Sequence, residues 1–354
     1  MTQGDEPATV RRGEELDAGA LRAYLGRALS TAADSIEISQ FPHGHSNLTY
    51  LVRAGGTELV LRRPPFGNQV KTAHDMSREF RVLTALAPVF PPAPRPICLC
   101  TDESVLGAPF YLMERRHGIV VRKLVPEGLV LTPPLAERLG RALIATLAEL
   151  HRLDYRAIGL GELGKPQGYV ARQVKGWTDR YAAAKTEEVP EIESVARWLA
   201  DHLPPEHEAS VIHNDFKFDN LLLDPADSTR ITAVLDWEMA TVGDPLMDLG
   251  TSLGYWIHDD DPAELQAAAL GPTMARGMLR REQVVEAYAR ASGRSVDHLV
   301  FYYAYGLFKL GVVVQQIYAR YARGFTTDVR FATMNRMAGV LARQAERAIG
   351  AGRV

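Results

Sequence analysis

Apolar residues first recur at helical spacing over residues 17–29, where Leu21, Tyr24, Leu25 and Leu29 share one face. From Ser35 the period shortens to two. Ile36, Ile38 and Phe41 predict a strand that leads into Pro42-His43-Gly44-His45-Ser46-Asn47; strands over residues 48–53 and 58–63 follow, joined by a turn at Gly55-Gly56. Pro64-Pro65 ends the third strand. Met76, Phe80, Leu83 and Leu86 predict a helix from about Ala73 to Ala87, and the proline-rich residues 88–96 lead to strands over 97–101 and 110–114. The pattern then turns helical. Leu135, Leu139, Leu143, Leu147 and Leu150 mark a buried helix over 133–154, and further helices are predicted over 169–181, 192–203, 280–292, 296–323 and 329–349. Residues 211–250 stand apart: two short apolar runs, Leu221-Leu222-Leu223 and residues 231–235, flank a turn at Asp224-Pro225-Ala226-Asp227.

Length and composition narrow the class. A chain of 354 residues is long for one core and suits two lobes or domains. Apolar content of 46% and charged content of 23% describe an ordinary globular protein, and a net charge of −3 with a pI near 6.4 argues against a nucleic-acid groove, which needs a basic excess. Cys98 and Cys100 lie two apart on a predicted strand, where both face one side with Cα atoms near the upper limit for a bridge. That disfavours a mutual disulfide, two thiols make no zinc cage, and a reducing cytoplasm is expected. The N-terminal residues lack the apolar core of a signal peptide, and no run reaches the roughly 18 apolar residues that span a bilayer. The expected partner is a small molecule, with no nucleic acid and no membrane, for a monomer or homodimer.

The candidate chemistry lies in VIHNDFKFDNLLLD and ITAVLDWEMATVGDPLMDLG. Singly, Asp215 and Asp236 read as turn or cap carboxylates, Asn220 as a hairpin residue and His213 as a core histidine. The combination within one hairpin, flanked by apolar strands, points elsewhere. Asp215 can accept a proton from an attacking hydroxyl, while Asn220 and Asp236 offer oxygen ligands that magnesium takes together with phosphate oxygens.

H-N-D-x-x-x-x-N followed by L-D-W-E and G-D-P-x-x-D-L-G resembles the aminoglycoside phosphotransferase and choline kinase-like branch of the protein-kinase fold. The likeness is closest to the kinase-like domain that animals carry fused to acyl-CoA dehydrogenases and to its free-standing bacterial relatives; it runs from about Ser35 to near the C-terminus. It implies an α+β, two-lobed fold: a small antiparallel-sheet N-lobe over 1–115, with a leading helix and a hinge at its end, and a mostly helical C-lobe over 116–354. It implies an ATP- and magnesium-dependent phosphotransferase with an alcohol acceptor. Asp215 is then the catalytic residue, and Asn220 and Asp236 the metal ligands. Gly44, Ser46 and Asn47 would contact phosphate, Arg62 with Glu79 would position it, and the backbone at Glu114 and Arg115 would receive the adenine. Arg62 departs from the family's usual lysine, replacing a point charge by a forked one, and only Gly44 stands where a kinase has several glycines. Residues 42–47 are therefore either a nucleotide-covering loop or a plain hairpin turn, and Glu79 either orients Arg62 or is a solvated partner of a nearby arginine.

Several residues keep two readings. By the resemblance His151 and Asp248 are structural, the latter steadying the catalytic loop, and Asp244 suits an N-cap. Glu238 is a second metal ligand or a rim carboxylate. The aromatic stripe Phe301, Tyr302, Tyr303, Tyr305 and Phe308 lines an acceptor pocket or fills core. The acceptor is a small metabolite, a hydroxyacyl thioester or an aminoglycoside-like compound; Asp259-Asp260-Asp261 is either an acidic acceptor surface or a solvated loop. A catalytically weak kinase-like nucleotide-binding or regulatory module is the alternative. A protein kinase fits poorly without an A-P-E segment, and nothing resembles a flavin site.

Overall fold

A computed structural model of the chain describes residues 6–29, 35–42, 47–66, 75–326 and 328–354. Two compact units result. The first comprises Met1–Val120, Pro126–Gly128 and Leu221–Ala240; the second comprises Val121–Val125, Leu129–Asn220 and Thr241–Val354. The sequence suggests a break after residue 115. By its contacts the first unit runs slightly further and also takes in the hairpin that follows Asn220.

With elements numbered along the chain, the first unit holds α1 (Ala18–Leu29), β1 (Ile36–Gln40), β2 (Leu48–Ala54), β3 (Thr57–Arg63), α2 (Met76–Leu86), β4 (Pro96–Cys100), α3 (Glu103–Leu106), β5 (Phe110–Glu114), β7 (Leu221–Leu223) and β8 (Ile231–Val234). Strands β1 to β5 form one antiparallel sheet in the order β1-β2-β3-β5-β4. On one face Leu21 and Leu25 of α1 pack with Tyr50, Val52, Leu61, Phe110 and Leu112. The other face meets α2, whose start is capped by Asp75 accepting the Arg78 N–H at 3.0 Å. Strand alternation separates Arg62 and Arg63: Arg63 donates to the Leu106 carbonyl at 3.0 Å, while Arg62 points to α2.

Main-chain bonds bind the β7–β8 hairpin into this unit. Ile119 and Leu223 exchange two N–H···O bonds at 2.9 Å, and the Val234 N–H reaches the Pro92 carbonyl at 2.8 Å. Gly118 permits that approach, since a Cβ there would lie 2.7 Å from the Leu223 carbonyl oxygen.

The second unit holds α4 (Pro133–His151), α5 (Tyr169–Ala184), α6 (Pro190–Asp201), β6 (Ser210–Ile212), β9 (Thr241–Gly243), α7 (Pro245–Gly254), α8 (Ala263–Gln266), α9 (Arg281–Ser292), α10 (Leu299–Ala322) and α11 (Met334–Ala351), with β6 paired antiparallel to β9. Helix α10 is its centre, packing against α5, α6, α7 and α11. The aromatic stripe is core: Phe301, Tyr302, Tyr303, Tyr305 and Phe308 are all buried. Gly250 of α7 and Gly306 of α10 abut so closely that a Cβ on either would overlap the other helix's backbone.

Helix α3 has no counterpart in the hydrophobic pattern because four residues carry no period; Asp102 and Gly107 cap it at either end. The last helix starts at Met334, later than the pattern suggests, because Asp328 caps a separate 3₁₀ turn over Val329–Phe331. Cys98 and Cys100 are both free thiols. Gly44 and Ser46 lie outside the described residues. Among the described residues no helix is long and apolar enough to cross a membrane.

The helix contact gives a stability test. Gly306→Ala is expected to cost about 3 kcal/mol, the upper part of the range for overpacking. Gly350→Ala, on α11 with nothing near its added methyl, should instead gain about 0.5 kcal/mol by restricting the unfolded chain. Chemical denaturation of the two variants measures both signs.

Candidate active site

In the second unit the loop after β6 is held by side chains in place of secondary structure. The Asp248 carboxylate of α7 accepts the N–H groups of His213 at 2.6 Å and Asn214 at 2.8 Å. Lys309 of α10 donates to the Asn214 carbonyl at 2.6 Å, Asn220 Nδ2 to the Asp215 carbonyl at 2.8 Å, and Ser252 Oγ to the Phe216 carbonyl at 2.8 Å. The Asp215 N–H points to His213 Nδ1 at 3.3 Å. Backbone groups that a strand or helix would satisfy are thus met one by one. Asp248 is itself wedged in place by His151 Nε2 at 3.2 Å, and His151 Nδ1 lies 2.7 Å from the Tyr288 hydroxyl. Burial opposes ionisation of Asp248, but His151 and the loop N–H groups outweigh it and hold the carboxyl below the usual aspartate range.

Asp215 projects from this frame. The Tyr255 hydroxyl donates to its Oδ1 at 2.7 Å; Lys217 Nζ lies 3.0 Å and Asn220 Nδ2 3.0 Å from its Oδ2. Burial alone would raise its pKa, but Lys217 and the Tyr255 hydrogen bond prevail and keep the carboxyl below its ordinary range. The side chain remains 19% exposed, within reach of a hydroxyl. Lys217 also lies 4.7 Å from the centroid of the Tyr255 ring; burial opposes its charge, but Tyr255 and the Asp215 carboxylate hold its pKa above the ordinary lysine value. A cavity of about 10 Å³ behind the loop, lined by Phe216, Phe218, Tyr255 and Trp256, has room for one water and none for an acceptor. The groove of about 480 Å³ between α5 and α6, floored by Val174, Tyr181, Ala196 and Leu203, is of small-molecule size.

In the first unit Arg62 is the centre. Its Nη1 lies 3.4 Å from Glu79 Oε1, and its Nη2 lies 2.9 Å from Asp236 Oδ1 and 3.6 Å from Glu238 Oε2. Arg62 and Glu79 are buried, whereas Asp236 keeps 34% of its side chain exposed. Burial works against the Arg62 charge, but Glu79 and Asp236 more than restore it; burial pushes the Glu79 carboxyl up, and Asp236 adds to the push against Arg62. Glu238 accepts from Asn47 Nδ2 at 2.8 Å. Trp237 donates its indole N–H to the Val234 carbonyl at 2.8 Å and packs edge-on to Phe90. Arg78 of α2 reaches the Ala240 carbonyl at 2.8 Å. Asp236 sits in the left-handed region, φ 67°, as does Asn214, φ 67°. Outside glycine that conformation is uncommon and concentrates at functional sites.

One guanidinium among three carboxylates leaves an excess of negative charge that suits a divalent cation, and the donors are hard oxygens. Among the described residues no three His, Cys, Asp or Glu side chains form a metal cage. Such a site fits magnesium, which binds through one or two carboxylates and completes its shell with phosphate and water.

Among the remaining expected residues, Glu114 accepts the Arg95 N–H at 2.8 Å and pairs with Arg116 at 2.7 Å, while Arg115 pairs with Glu58 at 2.8 Å. The Glu114 N–H is already used by the Arg95 carbonyl at 2.9 Å. Asp259-Asp260-Asp261 is matched by arginines: Arg280 lies 3.8 Å from Asp259 and 2.5 Å from Asp260, and Arg281 pairs with Asp261. Asp244 caps α7 through the Leu246 N–H at 2.8 Å. Lys217, Tyr255 and Lys309 are the residues that sequence reasoning missed; only Lys217, inside the motif's variable positions, had a signal there to find.

Residues 37–284 match the phosphotransferase enzyme family, APH. The chain is 36% identical over 318 residues to acyl-CoA dehydrogenase family member 10 of Mus musculus, covering 89% of this chain and 29% of that protein. It is 37% identical over 336 residues to family member 11 of Gallus gallus, covering 90% and 42%. The chain therefore spans well under half the length of these curated relatives. A solved protein of Ralstonia eutropha, provisionally described as an aminoglycoside phosphotransferase, superposes with a TM-score of 0.79 at 30% identity, covering 94% of this chain and 98% of that one. A thermostable mutant of an aminoglycoside phosphotransferase, solved with ADP and hygromycin B, shares the fold at 16% identity and a TM-score of 0.60, over 93% and 98% of the two chains. With a family match over most of its length and an α+β, protein-kinase-like fold, this chain belongs to the APH phosphotransferase enzyme family.

Proposed function

We propose that the chain transfers the γ-phosphoryl group of ATP, with magnesium, to a hydroxyl of a small metabolite or hydroxyacyl thioester. The observation that carries this reading is Asp215: an ionised, reachable carboxylate oriented by Tyr255, Lys217 and Asn220 on a loop whose backbone is clamped. A carboxylate held this acidic is a weak base. It orients the hydroxyl and accepts its proton late, as a loose phosphoryl-transfer transition state requires.

Arg62, braced by Glu79, is assigned the α- and β-phosphates; Asn47, with Gly44 and Ser46, the covering loop; and the backbone at Glu114 and Arg115 the adenine. The oxygens of Asn220 and Asp236 are assigned magnesium, which when bound neutralises charge on the phosphates. Rate enhancement then comes from placement and charge compensation. The arginine pairing of Asp259, Asp260 and Asp261 removes the acidic surface that a polycationic drug would need, which favours a metabolite over an aminoglycoside-like compound. The chain's likeness to members of the acyl-CoA dehydrogenase family leaves a hydroxyacyl thioester as an acceptor class to test. A cytoplasmic location and a monomer or homodimer complete the proposal.

The second reading, a kinase-like nucleotide-binding or regulatory module, draws on Arg62, whose charge is already engaged by three carboxylates. A panel of hydroxylated compounds assayed for magnesium-dependent ADP release separates the two. Nucleotide binding without release under any acceptor would favour the module.

Asp215→Asn is expected to keep Mg-ATP affinity within about twofold while transfer falls by roughly 10²–10⁴. Asp236→Ala should instead weaken Mg-ATP binding; calorimetry and coupled ADP release separate these effects, and unchanged turnover in either variant defeats the assignment.

The pH profile gives a third test. Because the Asp215 carboxyl is held below the ordinary range, its anion persists as pH falls, so loss of kcat through this group begins only below about pH 4. An acid limb centred near pH 6 in the ternary complex would assign proton acceptance to another side chain.

A further inference from the structure

Lys309 is buried in the middle of α10, 95 residues from the loop that it touches. Its ammonium donates to the Asn214 carbonyl at 2.6 Å. That carbonyl belongs to the peptide plane whose nitrogen is Asp215's own, so its orientation sets the direction in which the Asp215 side chain leaves the backbone. The adjoining peptide is held as well, since the Asn214 N–H is taken by Asp248 at 2.8 Å. Between the two clamps Asn214 sits at φ 67°, a conformation that relaxes readily unless neighbours hold it. The helices that carry the clamps cannot drift apart freely, because α7 and α10 touch backbone to backbone at Gly250 and Gly306, one turn from Lys309.

We propose that Lys309 is a positioning residue for Asp215, and that its positive charge, beyond its bulk, locks the Asn214 peptide in the orientation that aims the carboxylate. The proposal rests on the phosphotransfer reading for its catalytic consequence, but not for its structural one. Around the ammonium stand Asp215 and Asp248, which favour its charge, and Lys217 and Arg180, which oppose it; the Trp177 ring of α5 lies 5.8 Å away. Burial lowers its pKa to about 8. The sign follows: the charged clamp is present below that pH and lost as pH rises through it. The folded chain binds this proton less tightly than the unfolded chain does, so the charge is not there to stabilise the fold at neutral pH.

The test compares wild type, Lys309→Met and Lys309→Arg by hydrogen exchange of the peptide spanning 211–220, with α7 and α10 peptides as internal controls of folding. In the methionine variant that peptide is expected to exchange about tenfold faster while the helix peptides are unchanged. In wild type its protection, corrected for intrinsic exchange, should decline between pH 7 and 9; in the arginine variant it should persist across that range. ADP release in the presence of magnesium should follow protection, with kcat falling and the KM for ATP steady. Should Lys309→Met fail to fold, the wild-type and arginine pH profiles decide the matter alone. Loop protection equal in all three proteins, or independent of pH in wild type, overturns the proposal. Protection that behaves as expected beside absent ADP release upholds Lys309 and overturns the phosphotransfer reading instead.

Discussion

The Asp248 carboxylate holds the candidate catalytic loop together. It is fully buried and receives the N–H groups of two consecutive residues, His213 and Asn214, so it stands in for the main-chain partner that a strand would supply. An ionised group in such a place costs several kcal/mol in solvation unless every lone pair is matched. His151 supplies the matching donor, and Tyr288 fixes the other nitrogen of that ring. The chain from Tyr288 through His151 and Asp248 to the loop spans α9, α4 and α7. The position of Asp215 therefore depends on the packing of three helices, none of which carries it.

A different logic governs the first unit. There the anchor is a cation, Arg62, and the organised groups are carboxylates from α2 and the segment after β8. The fork matters: separate nitrogens of one rigid plane reach Glu79 and Asp236, a fixed geometry that a point-charge ammonium does not impose. Substituting arginine for lysine thus trades mobility for a fixed bridge between the helix glutamate and Asp236. The bridge fixes the orientation of the Asp236 carboxylate. Partial exposure of Asp236 keeps it available.

The sequence makes the chemistry legible where partners are close in the chain. Asp215 and Asn220 fall within one short motif, and the strand periods of residues 36–63 place Arg62 and Arg63 on opposite faces. Partners that meet through the backbone leave no such trace. Lys309 takes a carbonyl, which any residue could offer, and no pattern on α10 distinguishes a lysine that clamps a loop from one that snorkels. The same holds for the β7–β8 hairpin. Its main-chain attachment to the first unit runs through the N–H and C=O groups of Ile119, Leu223, Val234 and Pro92, and Gly118 is a residue whose identity records it. The aromatic stripe of α10 was ambiguous for the opposite reason, since pocket and core use the same side chains.

Left-handed Asn214 and Asp236 show why these loops need clamps at all. For a residue with a Cβ the conformation costs up to about 1–2 kcal/mol, and less for Asn and Asp, whose short polar side chains tolerate it better than others. Glycine would abolish that cost, yet it would also free the peptide plane to rotate, and the side chains around it would lose their fixed placement. Retaining a side chain narrows the accessible backbone. The surrounding hydrogen bonds then select one conformation from the few that remain: Asp248 and Lys309 do so for Asn214, and Arg62 does so for Asp236. Strain and clamp are complementary halves of one arrangement, since without the clamp the strained backbone relaxes, and without the restricted backbone the clamp has too many conformations to select among.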